Sequence, residues 1–210
     1  MNERFIYGFI LTLGLGSMNF GYANGVFNSF FVDFEFIFSI ETYEDRKFWS
    51  SFITAICSTG AAIGAFTIGS FIKWGKRNCL HLANAIMIAS CLMMQIKILY
   101  VIAVGRFFQG YAVGCLSVLV PSFINEIVPI ELKGPLGSAT QFFITFGTFY
   151  GNCLGVPLPD NNDQKVGKIE HSYLTDHYWR ILFAMPVIIS IIQSSLLICM
   201  FNYETPRFLK

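Results

Sequence analysis

The stretch that decides the fold is "FIYGFILTLGLGSMNFGYANGVFNSFFV", residues 5–32, which contains no Asp, Glu, Lys or Arg. A helix that crosses the hydrocarbon core of a bilayer needs about 20 predominantly apolar residues. This stretch is long enough for such a helix, and it is too long for the apolar core of a cleavable signal peptide. It therefore predicts a first membrane-spanning helix that inserts and stays in the membrane.

Similar long apolar stretches recur five more times along the chain, and two of them contain a single arginine, Arg106 or Arg180. The six predicted spans cover residues 5–32, 48–72, 78–96, 98–125, 134–157 and 179–202. Overall the chain is 54% hydrophobic and only 13% charged, whereas a soluble globular protein carries about 25% charged residues. The sequence thus predicts an all-α integral membrane protein, with residues 1–210 forming a single six-helix membrane domain.

The basic residues between the spans predict the orientation of the chain. Lys and Arg accumulate in cytoplasmic loops, and here they are more numerous on the side that carries both termini. That side collects Arg4, Lys73, Lys76, Arg77, Lys133, Arg207 and Lys210. We expect it to face the cytosol, or the equivalent compartment of an organelle, and we expect the acidic loops 33–47 and 157–178 to lie on the other side.

The remaining composition argues against several classes of function. All six cysteines fall inside predicted spans, and no pair has the spacing of metal ligands, so we expect neither a disulfide framework nor a metal site. The sequence contains no nucleophile elbow, no phosphate loop and no Cys/His set. We therefore predict that the protein is not an enzyme, and that it has no cofactor and no nucleic-acid partner.

Small residues recur four apart in two of the predicted spans. Span two contains Gly60-Ala61, Gly64-Ala65 and Gly69, and span four contains Gly110 and Gly114. Such stripes let two helix backbones approach closely, which is how helices associate in lipid. The stripes predict close helix pairing within the bundle.

Several longer motifs follow one another in a recognisable order. They are "FGYANGV" (20–26), "GAAIGAFTIGSFIKWGKRN" (60–78), "GRFFQGYAVG" (105–114), "VPSFINEIVPIELKGPLGSATQ" (120–141), "YWR" (178–180) and "YETPRFLK" (203–210). Together they resemble the amino-terminal half of the sugar porter branch of the major facilitator superfamily. The resemblance covers nearly the whole chain, and it implies six of the twelve helices of such a transporter.

The resemblance implies roles for the charges at one end of the helices. In the family such residues form a network of ion pairs that is made and broken as the two halves move. Capping of helices, binding of lipid headgroups or holding the bundle together is the interpretation that we favour. The candidates for this network are Glu126, Glu131, Lys133, Glu204 and Arg207, beside the basic loop residues Lys73, Lys76 and Arg77.

Two motifs depart from the family pattern. The basic loop is one residue short and lacks the acid that, in the family, contacts the other half of the transporter. In span one, proton-coupled members carry Asp directly after Gly-Tyr, whereas Ala23 and Asn24 follow Gly21-Tyr22 here. The resemblance therefore implies that any transport is facilitative and is not coupled to protons through this position.

The resemblance also implies a sugar contact. Gln141 matches a glutamine of span five whose amide binds sugar hydroxyls, and an amide both donates and accepts hydrogen bonds. Contact between helices is an equally good explanation of this residue. Tyr22, Asn24, Thr145 and Gln193 are further candidates to line the same cavity.

Arg106 is the charge that interrupts span four. A charge inside a membrane is costly unless it is paired or close to the interface. Because Arg106 matches the arginine of the family motif, we expect it to have a structural partner inside the bundle.

Two hypotheses for function follow from these observations. We expect the chain to be a non-transporting accessory subunit of a larger membrane complex, since most of the family's sugar contacts and the loop acid are missing. The alternative is a facilitative hexose transporter that works as a dimer of six-helix halves. The expected partners are membrane lipids, other membrane subunits or a second copy, and in the second case a hexose. The host membrane is an organelle inner membrane such as the mitochondrial one, or the plasma membrane.

Overall fold

The structure is a computed structural model, and it describes residues 3–38, 43–128, 133–156 and 173–199. Its helices are α1 (Glu3–Phe38), α2 (Tyr43–Phe71), α3 (Lys76–Met93), α4 (Leu99–Ile127), α5 (Lys133–Gly155) and α6 (Tyr173–Cys199), with a 3₁₀ turn at Ile72–Trp74. The described residues contain no β-strand. The predicted all-α fold of six helices is thereby confirmed.

The helices extend further than the charge-free runs. Helix α1 continues to Phe38 and α2 begins at Tyr43, so most of the predicted 33–47 loop is helical. The prediction of a loop there was wrong because charged residues end an apolar run without ending a helix. Glycine and proline are the residues that disfavour a helix interior, and neither occurs in residues 33–38. The predicted 157–178 loop is shortened in the same way, because α6 begins at Tyr173.

Helices α2 and α4 form one close pair through small residues. A side chain on Gly60 or Gly64 would collide with the backbone of α4 at Phe107 or Tyr111, and one on Gly114 would collide with Ala61. Backbones in such contact leave no room for a Cβ atom, which explains the small-residue spacing seen in the sequence. Gly69 differs, since a Cβ there would meet nothing within 4 Å.

Helices α1 and α5 form a second close pair of the same kind. Gly21 and Gly25 lie against the backbone of Ile144 and Thr148, and Gly147 lies against Met18. The Thr148 hydroxyl donates a hydrogen bond of 3.2 Å to the carbonyl oxygen of Gly21. The two glycines of "GYANG" are therefore packing positions for α5.

The two pairs meet where α1 contacts α4, and α3 and α6 pack behind them. Helix α3 contacts α4 and α6, while α6 contacts α1 and α3. Buried apolar residues fill the space between these helices, among them Leu13, Met87, Leu119 and Trp179. Helices α1, α2, α4 and α5 consequently share a face that α3 and α6 leave uncovered.

A glycine with a positive φ links α2 to α3. Gly75 has φ 95° and ψ 131° and precedes the first residue of α3, Lys76. Side chains larger than glycine rarely adopt this conformation. The turn directs Lys76 into the protein, where only 4% of its surface is exposed, although the residue comes from a basic loop.

Three helical segments in the described residues are long and apolar enough to cross a membrane by length and composition. They are Lys47–Trp74, Leu99–Ile127 and Tyr178–Cys199, with mean hydropathy of 1.6, 1.6 and 2.3. These segments agree with an integral membrane protein that crosses the bilayer several times.

Candidate functional site: two clefts along α1 and α4

Two clefts open along the contact between α1 and α4, on the face that α3 and α6 leave uncovered. Helix α5 bounds one of them and α2 bounds the other. Helix α1 contributes Ser17 and Phe20 to the first cleft and Asn24 and Phe27 to the second. These four residues follow one another at intervals of three or four, so they form one stripe on one side of the helix.

The Gln141 cleft, which lies between α1, α4 and α5, has a volume of about 270 Å³. Pockets for drug-sized ligands start at about 300 Å³, so this volume suits a ligand of about the size of a monosaccharide. Its polar lining residues are Ser17, Ser117, Asn125, Thr140 and Gln141. The cleft thus combines hydroxyl and amide groups with an apolar wall.

Gln141 has its amide free in this cleft. The side chain is exposed, and within the described part of the chain it makes no hydrogen bond, whereas the neighbouring Thr145 hydroxyl donates to the Gln141 backbone carbonyl at 3.0 Å. Thr145 is exposed one turn further along α5 and is outside the lining of the cleft. Gln141 therefore keeps its donors and its acceptor available for a ligand.

A proline adds a backbone acceptor to the same cleft. Pro121 lies inside α4, and proline has no N–H group for the carbonyl four residues earlier. That carbonyl belongs to Ser117, and both residues line the cleft. The proline of "VPSFINE" thus frees a carbonyl oxygen beside Gln141.

The structure places Tyr22 in the interior of the bundle, away from either cleft. Its side chain is fully buried, and its hydroxyl donates a hydrogen bond of 2.9 Å to the carbonyl oxygen of Leu182 on α6. Leu182 is four residues before Pro186, which cannot donate to it. Tyr22 satisfies the acceptor that Pro186 frees.

Gln193 is also placed in the interior. It is fully buried, and a side chain added at Gly16 of α1 would lie against its amide. Of the sequence-predicted sugar candidates, Gln141 and Asn24 line the clefts, and Thr145 lies beside them. Tyr22 and Gln193 instead lie in the contact between α1 and α6.

The Arg106 cleft, which lies between α1, α2 and α4, also has a volume of about 270 Å³. Arg106 is 2% exposed. Its Nη1 donates to the carbonyl oxygen of Ala23 at 3.3 Å and to Gln109 Oε1 at 3.1 Å, and its guanidinium carbon lies 3.9 Å from the centre of the Phe27 ring. The partners of Arg106 inside the bundle are thus the Ala23 carbonyl, the Gln109 amide and the Phe27 ring.

The charges at the end of the helices include an ion pair between Lys76 and Glu126. Lys76 Nζ lies 2.6 Å from Glu126 Oε1 and also donates to the hydroxyl and carbonyl oxygens of Ser122, at 2.6 Å and 3.1 Å. Lys73 is exposed, while Arg77 and Lys133 are partly buried. Glu131, Glu204 and Arg207 lie outside the described residues.

Two asparagines that were not among the predicted site residues connect α6 to the rest of the bundle. Asn19 donates to the Ser190 hydroxyl at 3.0 Å, and Asn84 donates to the Ser194 hydroxyl at 3.0 Å. Both asparagines are fully buried. Their signal in the sequence was an amide within an otherwise apolar span, which is costly in a membrane without a partner.

In the described ranges, no group of three or more His, Cys, Asp or Glu side chains could hold a metal ion. Every cysteine there has a free thiol. The polar groups that line the clefts are hydroxyls, amides, the Cys57 thiol and one guanidinium.

The six-helix fold matches about half of a longer solved structure. The xylose transporter XylE from E. coli has this fold, with a TM-score of 0.80 at 24% identity over 97% of this chain and 50% of that chain. The model of the family described as "Sugar (and other) transporter" matches residues 9–210. The chain belongs to this sugar transporter family.

Longer relatives agree with this assignment. The chain is 33% identical over 211 residues to "Hexose transporter 1" of Plasmodium yoelii yoelii, covering 97% of this chain and 42% of that protein. It is 32% identical to "Solute carrier family 2, facilitated glucose transporter member 3" of Mus musculus, covering 93% of this chain and 39% of that protein. The chain thus spans less than half the length of these relatives, which are transporters by name.

Proposed function

We propose that this chain forms one wall of the transport cavity of a membrane sugar carrier, and that Gln141 binds hydroxyl groups of the sugar there. The observation that carries the proposal is the free Gln141 amide in a cleft of about 270 Å³. The names of the relatives supply the substrate class, a hexose.

The chemistry of the cleft suits a polyol. A sugar hydroxyl both donates and accepts hydrogen bonds, and the Gln141 amide offers the complementary groups. The carbonyl of Ser117, which Pro121 leaves without a helix donor, and the exposed amide of Asn125 lie in the same lining. Phe20 provides an apolar surface for the C–H face of the ring.

Enclosing a sugar takes a second wall, because the clefts lie on an open face. Exposing amides and hydroxyls to hydrocarbon costs several kcal/mol for each unsatisfied group. The proposed second wall is another six-helix unit, so that the two units rock about a site between them in alternating access. A second copy of this chain or a different subunit would meet this need.

The proposed mode of transport is facilitative. Proton coupling needs a titratable group. The part of α1 that lines the clefts has Ala23 and Asn24 at the place where proton-coupled members of the family carry Asp. One of the relatives is named a facilitated glucose transporter. Uptake should therefore follow the sugar gradient and be unchanged by an imposed pH gradient.

Uptake of a labelled hexose into liposomes tests the proposal. The chain would be purified in mild detergent with whatever protein accompanies it and reconstituted as the wild type and as Gln141→Leu. We expect saturable uptake by the wild type. We expect an affinity loss of roughly 5- to 150-fold in the variant, because an unmade hydrogen bond costs about 1–3 kcal/mol.

Gln95→Leu is the matched control. The Gln95 amide donates to the Arg180 carbonyl at 3.0 Å, at an exposed position outside both clefts, so uptake should not change. Absence of saturable uptake in all three proteins, with assembly intact, would contradict the proposal. That outcome would instead support the non-transporting accessory subunit that the sequence predicts, a role that no observation on the described residues favours.

A further inference from the structure

The guanidinium of Arg106 has one edge without an oxygen acceptor, although the Cys57 thiol in the same cleft interacts with the group. Its Nη1 is engaged by Ala23 and Gln109, whereas Nε and Nη2 are buried and make no hydrogen bond. Nε–H and Nη2–H point to the same side of the planar group, so together they form the fork that binds carboxylates through two parallel hydrogen bonds. The free part of Arg106 is thus the part that recognises a planar oxyanion.

The charge of Arg106 also lacks an acidic partner. No carboxylate among the described residues forms an ion pair with it. Arginine does not lose its proton in proteins, and an unpaired charge at membrane depth is costly. The carbonyl of Ala23 and the Phe27 ring compensate part of the charge, so an anion in the adjoining cleft would be stabilised.

The rest of the Arg106 cleft offers hydroxyl and amide groups. Thr54 and Ser58 donate their hydroxyl protons to carbonyls of α2 one turn earlier, at 3.0 Å and 3.1 Å, which leaves their oxygen lone pairs as acceptors. The exposed Asn24 amide both donates and accepts. A ligand that suits this lining carries several hydroxyl groups.

From the unpaired fork and this lining, we propose that the Arg106 cleft binds a small polyhydroxy carboxylate, a ligand of the sugar-acid class. Because Nε and Nη2 are buried in the unliganded structure, the Arg106 side chain turns to present them to the carboxylate, and the hydroxyl groups of the ligand contact Asn24, Thr54 and Ser58. The cleft volume of about 270 Å³ has room for a molecule of this size. The site is separate from the Gln141 cleft and does not depend on the transport of a neutral hexose.

Binding to the purified protein in lipid nanodiscs, in a buffer without carboxylates, tests the site. The probes are glucuronate, its neutral counterpart glucose, and acetate, which has the carboxylate without the hydroxyl groups. We expect glucuronate to bind at least about tenfold more tightly than acetate and to raise the melting temperature, since a ligand stabilises the state that it binds.

Two variants of the cleft sharpen the test. Arg106→Lys keeps the charge but replaces the fork by a point charge, so glucuronate should bind about tenfold more weakly or worse. Ala23→Asp places a carboxylate next to the guanidinium, since the Ala23 carbonyl already lies 3.3 Å from Nη1. This variant should fold with higher thermal stability and lose glucuronate binding.

Arg180→Lys is the matched control, because Arg180 is exposed on α6 outside both clefts. It should bind glucuronate as the wild type does. Equal binding of glucuronate and acetate, or unchanged glucuronate binding by Ala23→Asp, would overturn the proposal. Neither result would bear on hexose uptake through the Gln141 cleft, so the two proposals fail separately.

Discussion

The hydroxyl of Tyr22 donates a hydrogen bond of 2.9 Å to the carbonyl oxygen of Leu182, the carbonyl that Pro186 leaves without its helix donor. The bond joins α1 to α6 at a fully buried position. The tyrosine of "FGYANGV" thus supplies the hydrogen bond that the proline of the last helix cannot make, although the two residues are 164 positions apart in the sequence.

This relationship predicts coupling between two substitutions. Tyr22→Phe leaves the Leu182 carbonyl buried without a donor and should lower the free energy of unfolding by about 1 kcal/mol. Pro186→Ala supplies an N–H for the same carbonyl, so Tyr22→Phe should cost markedly less in that background. Denaturant titration of the four proteins of this cycle in micelles measures the coupling. An equal loss in both backgrounds would contradict the assignment.

The largely buried ion pair between Lys76 and Glu126 predicts a strong effect of removing one partner. Lys76→Met leaves the Glu126 carboxylate, which is 18% exposed, without its cation and should cost about 3 kcal/mol, the low end of the range for a buried pair, whereas Lys76→Met combined with Glu126→Leu should recover much of the loss. Lys73→Met is the control, since Lys73 is exposed three residues earlier. Its effect should stay within about 0.5 kcal/mol. Thermal unfolding in detergent would compare the variants, and equal losses for Lys73 and Lys76 would refute the pairing.

Two glycines of α2 predict opposite outcomes for the same substitution. Gly64→Ala places a methyl group against the backbone of Tyr111 and should cost about 1–3 kcal/mol by overpacking. Gly69→Ala adds the methyl group in open space and should be neutral or up to about 1 kcal/mol more stable, because alanine favours a helix over glycine. Unfolding midpoints of the two variants decide the matter; the prediction fails if Gly64→Ala is the more stable one.

The ends of α3 predict the topology in the membrane. Lys73 precedes α3 and Lys97 follows it, so the two positions should lie on opposite sides of the bilayer, with Lys73 on the cytosolic side. A membrane-impermeant maleimide would be applied to Lys73→Cys and Lys97→Cys variants on a background without native cysteines. In sealed vesicles of known orientation, we expect the two variants to react from opposite sides, with Lys73→Cys reacting from the cytosolic side. Reaction of both variants from the same side would rule out the topology.

Much of the architecture could be predicted from the sequence. Charge-free runs located the helices because the cost of a charge in hydrocarbon is large and local. Gly64 and Gly114 predicted a close helix pair, because only a residue without a Cβ atom lets another backbone come into contact. Helix ends were less accurate, because helices continue past the edge of an apolar run, as α1 does as far as Phe38.

The candidate site was less accessible to such reasoning. Asn24 and Tyr22 are two positions apart on α1, so with 3.6 residues per turn their side chains point in nearly opposite directions, and one face cannot hold both. The opposite directions of these two side chains could be predicted from the sequence. The identity of the helices at the open face could not, because it depends on how α3 and α6 pack behind the others. For this reason Gln193 of α6 was placed with Gln141 of α5 in the prediction, whereas the structure separates them.

The two glycine-mediated helix pairs have a mechanical consequence. Within each pair the backbones touch and few side chains intervene, so neither pair yields easily to bending or sliding. The contact between α1 and α4 contains both clefts and depends on side chains such as Arg106 and Phe20. Deformation of the bundle will therefore concentrate along this line, and each cleft will widen or narrow as the stiff pairs tilt against one another. A spectroscopic distance between probes on α2 and α5 would change as the two pairs tilt. The distance between probes on α2 and α4 would stay fixed.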